Sequence, residues 1–421
     1  MPRPFQAALY DVRAMTEHIQ ANRTSATAAD RSILIIGGGA FGLSAACELR
    51  ARGWTVDLLD AAAHIPAPAG ASTDISKIVR MDYGPDEIYT ELAEQALAGW
   101  DGWNASEPAA PLYHEDGFLL LARRPFQPGD FEYESFEVLR KRAHRVERLG
   151  PSLRATRFPA WSTREYPDGY FNPRAGWAES GRAVAWMLSR ARAAGVRIHE
   201  GMRVERLAER GSRVTGAVAV EGSAFQADAI LVAAGAWTPF LLPHLNHVMR
   251  ATGQPVVHFR VADAASWQAP RFPVWAADIA GTGWYGFPAL PDGTLKIGHH
   301  GPGRSVDPDE PRDVLPSEAQ RFRDFLDAHF PALAGSPVSS TRLCLYCDTF
   351  DGHFWIGADP DRPGLIVAAG DSGHGFKFAP VLGRVIADAV EGRANRWSAT
   401  FGWRSRTRDS KEAARAVAPT I

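Results

Sequence analysis

Three glycines, Gly37, Gly39 and Gly42, follow directly on the apolar run Ile33–Ile36, and an aspartate, Asp60, closes a second apolar run, Val56–Leu59. Glycine at those three places suits dinucleotide binding. The first permits a tight turn off a strand, the second lets backbone approach a pyrophosphate with no Cβ in the way, and the third lets the next helix pack closely on the sheet. Ala40 and Phe41 stand between them, where the free N–H groups of a helix start face a diphosphate. Asp60, roughly 20 residues on, is placed to accept hydrogen bonds from a ribose hydroxyl. A lone glycine triplet is weak evidence. The order strand, triplet, helix, strand, acid is specific, against the plainer reading of a tightly packed βαβ unit, but it does not separate FAD from NAD.

A second set of chemistry-bearing side chains lies in ASTDISKIVRMDYG, which brings Ser72, Asp74, Lys77, Arg80, Asp82 and Tyr83 within a few residues. Charges that dense beside a nucleotide fold suggest a site, although a solvated turn has the same composition. Tyr285, Lys296 and His300 fall in strand-like runs, and Lys377 follows the turn Gly373-His374-Gly375. Read alone, each is equally a packing group or a surface cation. The cysteines are Cys47, Cys344 and Cys347, and Cys344-x-x-Cys347 has no partner pair, so no metal spacing is present.

A chain of 421 residues exceeds one ordinary core, which predicts two domains. A formal charge of −2 gives no support to nucleic-acid or anionic-membrane binding. The odd, sparse cysteines exclude a disulfide framework and point to a reducing, cytoplasmic compartment. No apolar run approaches the roughly 20 residues that span a bilayer, and no signal-peptide order is seen, so a soluble intracellular protein is expected. Most of the 13 tryptophans should be core or cleft walls.

The elements that would carry these residues are α/β in kind. Residues 1–30 read as an extension in which Phe5, Leu9, Val12, Met15 and Ile19 have helical spacing. An amphipathic helix is predicted from Pro85 through Trp100, a hairpin in PLYHEDGFLLLA, and a charged helical excursion from Arg123 to Trp161 that returns near Gly169. A helix from about Glu179 to Ala194 precedes strands at Val196–His199, Met202–Leu207 (holding Val204), Val214–Glu221 and Ile230–Ala233, the last meeting Gly235 in a turn. From Gln254 to His300 short alternating strands predict an antiparallel sheet, and Ser317 with Gln320 reads as a capping box. The strand Leu365–Ala369 and a helix near Val381–Val390 restore α/β character. The expected division is a Rossmann-like nucleotide domain from 31–110, 165–245 and 340–395, a second domain from 111–164 and 246–339, and a tail at 396–421.

The motifs IIGGGAFGLSAA, STDISKIVRMDYG, YGFP with LKIGHH, CLYCDT followed by HF, and GDSGHGFKF, in this order, resemble the D-amino-acid-oxidase superfamily of flavoproteins. Within it the chain is similar to the branch of monomeric sarcosine oxidase, N-methyltryptophan oxidase and the fructosyl amino acid oxidases (amadoriases). The resemblance runs from about Ile33 to Val390 and implies FAD, with an antiparallel sheet roofing the flavin. It implies a thioether from Cys344 to the flavin 8α carbon, with Cys347 not matched to that role. It implies Lys296 over the flavin, favouring oxygen reduction by stabilising developing negative charge. It further implies Arg80 and Lys377 as the cations that hold a substrate carboxylate and so fix the Cα–H for transfer. Tyr285 and His300 match cleft residues near the amine. His374 is placed near the flavin ring or as a stabiliser of its turn, and Gly373 and Gly375 free backbone N–H groups to face flavin carbonyls. Ser72, Asp74, Lys77, Val204 and Gly235 complete the expected cofactor contacts. STDISKI looks more like amadoriase and pipecolate-type members than sarcosine oxidase, so the substrate is less defined than the chemistry. Trp275 and Trp284 are read as either walls around a bulky N-substituent or core.

The resemblance implies an FAD-dependent amine oxidase. It would act on an N-methyl, N-fructosyl or cyclic secondary-amine amino acid and pass two electrons to O2 to give H2O2. A dehydrogenase of the same fold, using a protein or quinone acceptor, and a flavin-binding subunit without turnover are the alternatives. The expected partners are a small-molecule amine and O2, with no nucleic acid, membrane or metal, in a monomer.

Overall fold

Ile33, Leu34, Ile35 and Ile36 are all buried, as a strand covered on both faces requires, and they form β1 (Ser32–Ile36) inside a six-stranded sheet. The structure is a computed structural model that describes residues 31–406, 410–411 and 413–416; the expected extension at 1–30 lies outside them. Parallel neighbours flank β1 on both sides, β2 (Thr55–Asp60) and Ala229–Val232. Arg197–Glu200 extends the sheet beyond β2, while Leu365–Ala369 and the antiparallel Trp355–Ala358 extend it the other way. Helix α1 (Ala40–Ala51) joins β1 to β2 and is followed by Gly53. Helix Ala379–Val390 packs on α1 so closely that a Cβ at Gly383 would lie 2.4 Å from the Ser44 carbonyl oxygen.

The nine-stranded second sheet is mostly antiparallel and holds the strands expected between Gln254 and His300: Met249–Arg260, Val274–Ala277, Trp284–Gly286 and Thr294–His299. Met249–Arg260 lies between Thr294–His299 and the long strand Val338–Thr349. Its register sets His258 opposite Lys296 and Gln254 opposite Cys344. Because 254 and 258 share a face of a strand with period two, Lys296 and Cys344 are delivered to the same side of the sheet. Helix Pro316–His329 covers the opposite side through Phe322, Phe325 and Leu326. Trp275 and Trp284 stack on Phe325 in this core, which settles them as packing groups rather than substrate walls.

Four expectations of detail are corrected. PLYHEDGFLLLA is not a hairpin: Tyr113–His114 pairs with Gly176–Ala178, whereas Phe118–Ala122 is a fully buried central strand between Val274–Ala277 and Asp168–Asn172. The return near Gly169 comes later, because Asp168–Asn172 belongs to the larger sheet and the parallel sheet resumes at Arg197. Val338–Thr349 likewise belongs to the larger sheet, so the final α/β return begins at Trp355. The helix at 316 is capped differently: Glu318 accepts from the Leu315 N–H at 2.8 Å, and Gln320 donates to Asp324 at 2.8 Å. Among the described residues no helix is long and apolar enough to cross a membrane, and no group of His, Cys, Asp or Glu is arranged to hold a metal ion.

Candidate active site

The turn from β1 into α1 forms one end of a cleft of about 540 Å³. Gly37 has φ +114°, its N–H donates to the Leu59 carbonyl at 2.8 Å, and a Cβ there would meet the Ala233 carbonyl oxygen at 2.4 Å. Ser72 approaches the turn and accepts from the Ala40 N–H at 3.0 Å. Asp60 reaches back from the tip of β2, its Oδ2 accepting from Gly38 N–H at 2.7 Å and its Oδ1 from Ala62 N–H at 2.8 Å. Gly37, Gly39, Ala40, Phe41, Asp60, Ser72, Lys77, Val204, Gly235, Gly373 and Gly375 all line this cleft. Gly42 lines neither cavity and serves packing, since a Cβ there would lie 1.9 Å from the Gly37 carbonyl oxygen.

A smaller cavity, about 100 Å³, adjoins the cleft and shares Lys77, Tyr346, Gly373 and Phe376 with it. Arg80, Tyr285, Lys296, His300, Cys344, His374 and Lys377 face this second space. Residues from five separated stretches thus meet at one place. Arg80 is buried, with its guanidinium 4.9 Å from the Tyr83 ring. Lys377 is buried beside it and donates to the Tyr83 hydroxyl at 2.9 Å and the His374 carbonyl at 3.0 Å. His374 touches Tyr83 through Nδ1 at 3.2 Å and the Gly352 carbonyl through Nε2 at 3.1 Å. Aliphatic and aromatic walls come from Phe118, Ala276, Ile279 and Phe287.

Asp74 lines neither cavity and stands behind Lys296. The Lys296 ammonium donates to Asp74 Oδ2 and to the Ser76 carbonyl, each at 2.6 Å, and both side chains are 3% exposed. The same Oδ2 is 4.0 Å from Cys344 Sγ, while His258 Nε2 is 3.6 Å from Oδ1. Burial alone would raise the Asp74 pKa, but Lys296, His258 and Lys77 outweigh it and hold the carboxyl well below the usual range. Burial lowers the half-buried Lys77. Burial also pushes the Tyr285, Tyr346 and Cys347 groups up, keeping them protonated. Cys347 points into a different core, 3.8 Å from Met249 Sδ.

Asp371, at the cleft floor, is pushed up to about 6 by burial with the Asp348 carboxylate nearby, against the Cys347 and Gly373 amides and Lys77. Its unfolded value is about 3.9. The folded chain therefore holds more protons between those values, and stability falls as pH rises through that window. Asp371→Asn removes this penalty. The melting temperature of the FAD-free variant should exceed wild type at pH 8, an effect of order 1–3 kcal/mol, with the difference shrinking towards pH 4.

Tyr346 was not singled out as a site residue from the sequence. Tyr346 packs on Gly373, where a Cβ would lie 2.2 Å from its ring, and its hydroxyl is 3.5 Å from His300 Nδ1. Its place two residues after Cys344 on one strand, hence on the same face, is the signal that could have found it.

A family profile described as FAD dependent oxidoreductase (DAO) matches residues 32–389. The chain is 27% identical over 360 residues to monomeric sarcosine oxidase of Bacillus sp. (strain B-0618), covering 84% of this chain and 90% of that one. It is 29% identical over 426 residues to L-saccharopine oxidase of Schizosaccharomyces pombe, covering 89% and 93%. Among solved structures it is similar to the deglycating enzyme fructosamine oxidase (Amadoriase II) of Aspergillus fumigatus, with TM-score 0.79, 27% identity and coverage of 94% and 95%.

Proposed function

The chain belongs to the DAO family of FAD-dependent oxidoreductases, and from that premise we propose that it oxidises the C–N bond of a secondary-amine amino acid. The substrate is an N-methyl, N-fructosyl or cyclic amino acid, and O2 is reduced to H2O2. The observation that carries this reading is the meeting of Arg80, Lys377 and Lys296 in one buried cavity continuous with the glycine-lined cleft. FAD fits that shape. Its adenine dinucleotide end would take the cleft lined by Gly37, Gly39 and Asp60, and Lys77, Tyr346 and Gly373 line both that cleft and the smaller cavity.

FAD held in the cleft by the Gly37–Gly42 turn, Asp60 and Ser72 would supply two-electron redox chemistry between the carbon next to nitrogen and O2. Arg80 and Lys377 bind the substrate carboxylate, the guanidinium in a bidentate fork and the ammonium as a second charge. Tyr285 and His300 shape the amine end of the cavity. The amine enters neutral, so no side chain is required as a strong base, and the imine product hydrolyses or persists if cyclic. Lys296, paired with Asp74 at 2.6 Å, holds a positive charge where negative charge develops on oxygen. The proposed division assigns 31–110, 165–245 and 340–395 to the FAD-binding side and 111–164 and 246–339 to the substrate side. The protein acts as a monomer in the cytoplasm.

The cofactor is covalent, through Cys344. In such a link Cys344 Sγ would replace one hydrogen of the flavin 8α carbon, with O2 as the two-electron acceptor that leaves as H2O2. What supports this reading is that Cys344 lines the cavity while 5% exposed, on the strand face it shares with Lys296 across the sheet. After acid precipitation the yellow colour should stay with the wild-type pellet and leave entirely with the supernatant of Cys344→Ser. Colour released from the wild type would remove the link. The function itself is tested by a peroxide assay across sarcosine, N-methyltryptophan, pipecolate and fructosyl amino acids, of which at least one should turn over; silence on all sinks the substrate class.

A further inference from the structure

The chain beyond Arg404 folds back onto the larger sheet. Arg404 holds Asp351 through Nε and Nη2, both at 2.7 Å, and the Ser410 N–H donates to the Phe350 carbonyl at 2.8 Å. Ala414, Arg415 and Ala416 are then 0%, 7% and 2% exposed. A guanidinium buried in a stretch without regular structure requires partners, and Arg415 has them on both sides. Nη1 and Nη2 donate to the Asp348 carboxylate at 2.6 and 2.7 Å, and Nε donates to the Gly301 carbonyl at 2.8 Å. The Ala416 N–H donates to the carbonyl of His300 at 3.0 Å, and the Arg415 guanidinium lies 5.6 Å from the Tyr346 ring.

Two cavity-facing residues touch this segment: His300, bonded through its backbone carbonyl, and Tyr346, whose ring lies under the Arg415 guanidinium. One sits at the end of strand Thr294–His299 and the other on Val338–Thr349, so the segment ties two strands of the wall together. We propose that residues 413–416 back the wall of the amine cavity from outside, with Arg415 a positioning residue that braces His300 and Tyr346. The segment lies outside residues 32–389, the part matched by the family profile. Without Arg415 the Asp348 carboxylate is left buried and unpaired, and water gains the space behind Tyr346. The two side chains then lose the fixed geometry that substrate positioning needs.

The inference rests on the proposed function for its kinetic consequence, so the test has a second reading that needs no substrate. Arg415→Gln and the double variant Asp348→Asn/Arg415→Gln, which removes both buried charges, are made in the full chain. Hydrogen exchange of the FAD-bound proteins is followed over 296–304 and 343–349, with kcat/KM for the most active amine of the panel. Exchange there should speed at least tenfold and kcat/KM fall at least tenfold, with FAD content unchanged. If Arg415→Gln does not fold, the double variant carries the test. Unchanged exchange overturns the brace, and kcat/KM within twofold of wild type overturns its role at the site. If the wild type oxidises no amine, the proposed function fails and exchange alone decides the brace.

Discussion

Lys296→Met should slow the reaction of the reduced enzyme with O2 by roughly 10²–10³-fold, the usual effect of removing one group that stabilises developing negative charge. Reduction of the flavin by the amine should change far less. The separation follows from position: the ammonium is 3% exposed and held between Asp74 and the Ser76 carbonyl, 4.6 Å from the Phe287 ring. Charge in so dry a place acts strongly and is little screened. Methionine keeps the volume but strands the Asp74 carboxylate, so Lys296→Met/Asp74→Asn distinguishes lost charge from a damaged fold. Stopped-flow reoxidation of dithionite-reduced protein reads the rate directly. An unchanged oxygen rate in both variants would remove Lys296 from the chemistry and favour a dehydrogenase with another acceptor.

Arg80→Lys should lower kcat/KM for a carboxylate-bearing amine by roughly 10–10²-fold, from the 1.5–3 kcal/mol that a hydrogen bond to a charged group contributes. Lysine preserves the charge and loses the fork, so the result measures bidentate geometry rather than sign. The guanidinium lies over the Tyr83 ring, 4.9 Å away, and Lys377 holds that ring through its hydroxyl at 2.9 Å. Steady-state kinetics should show the loss mainly in KM, and the same change tested on an amine lacking the carboxylate should have little effect. Equal losses on both amines would mean that Arg80 supports the cavity without binding the carboxylate.

Much of the parallel sheet was legible because its signals are local. Ile33–Ile36, the glycine turn and Val56–Asp60 each state their own conformation, and the structure places them side by side. The misread hairpin shows the limit. Phe118–Ala122 is apolar at every position because partners from sequence positions far away cover both edges and faces, a fact no window around Gly117 contains. The site was legible residue by residue through its resemblance to a family, but its internal connections were not. Asp74 and Lys296 are 222 positions apart, and their pairing depends on the register of a strand that neither belongs to. Arg415 was beyond any such pattern, since a buried arginine in an irregular stretch looks like a solvated tail until its partner Asp348 is seen.

The central claim is that the chain itself couples a secondary amine to oxygen through bound FAD. Under anaerobic conditions, one equivalent of the best amine from the panel should bleach the flavin absorbance of the purified protein. Air admitted afterwards should restore the colour with one H2O2 formed per flavin. Flavin that stays oxidised in the presence of every carboxylate-bearing secondary amine, or that is reduced but yields no peroxide in air, would contradict the account.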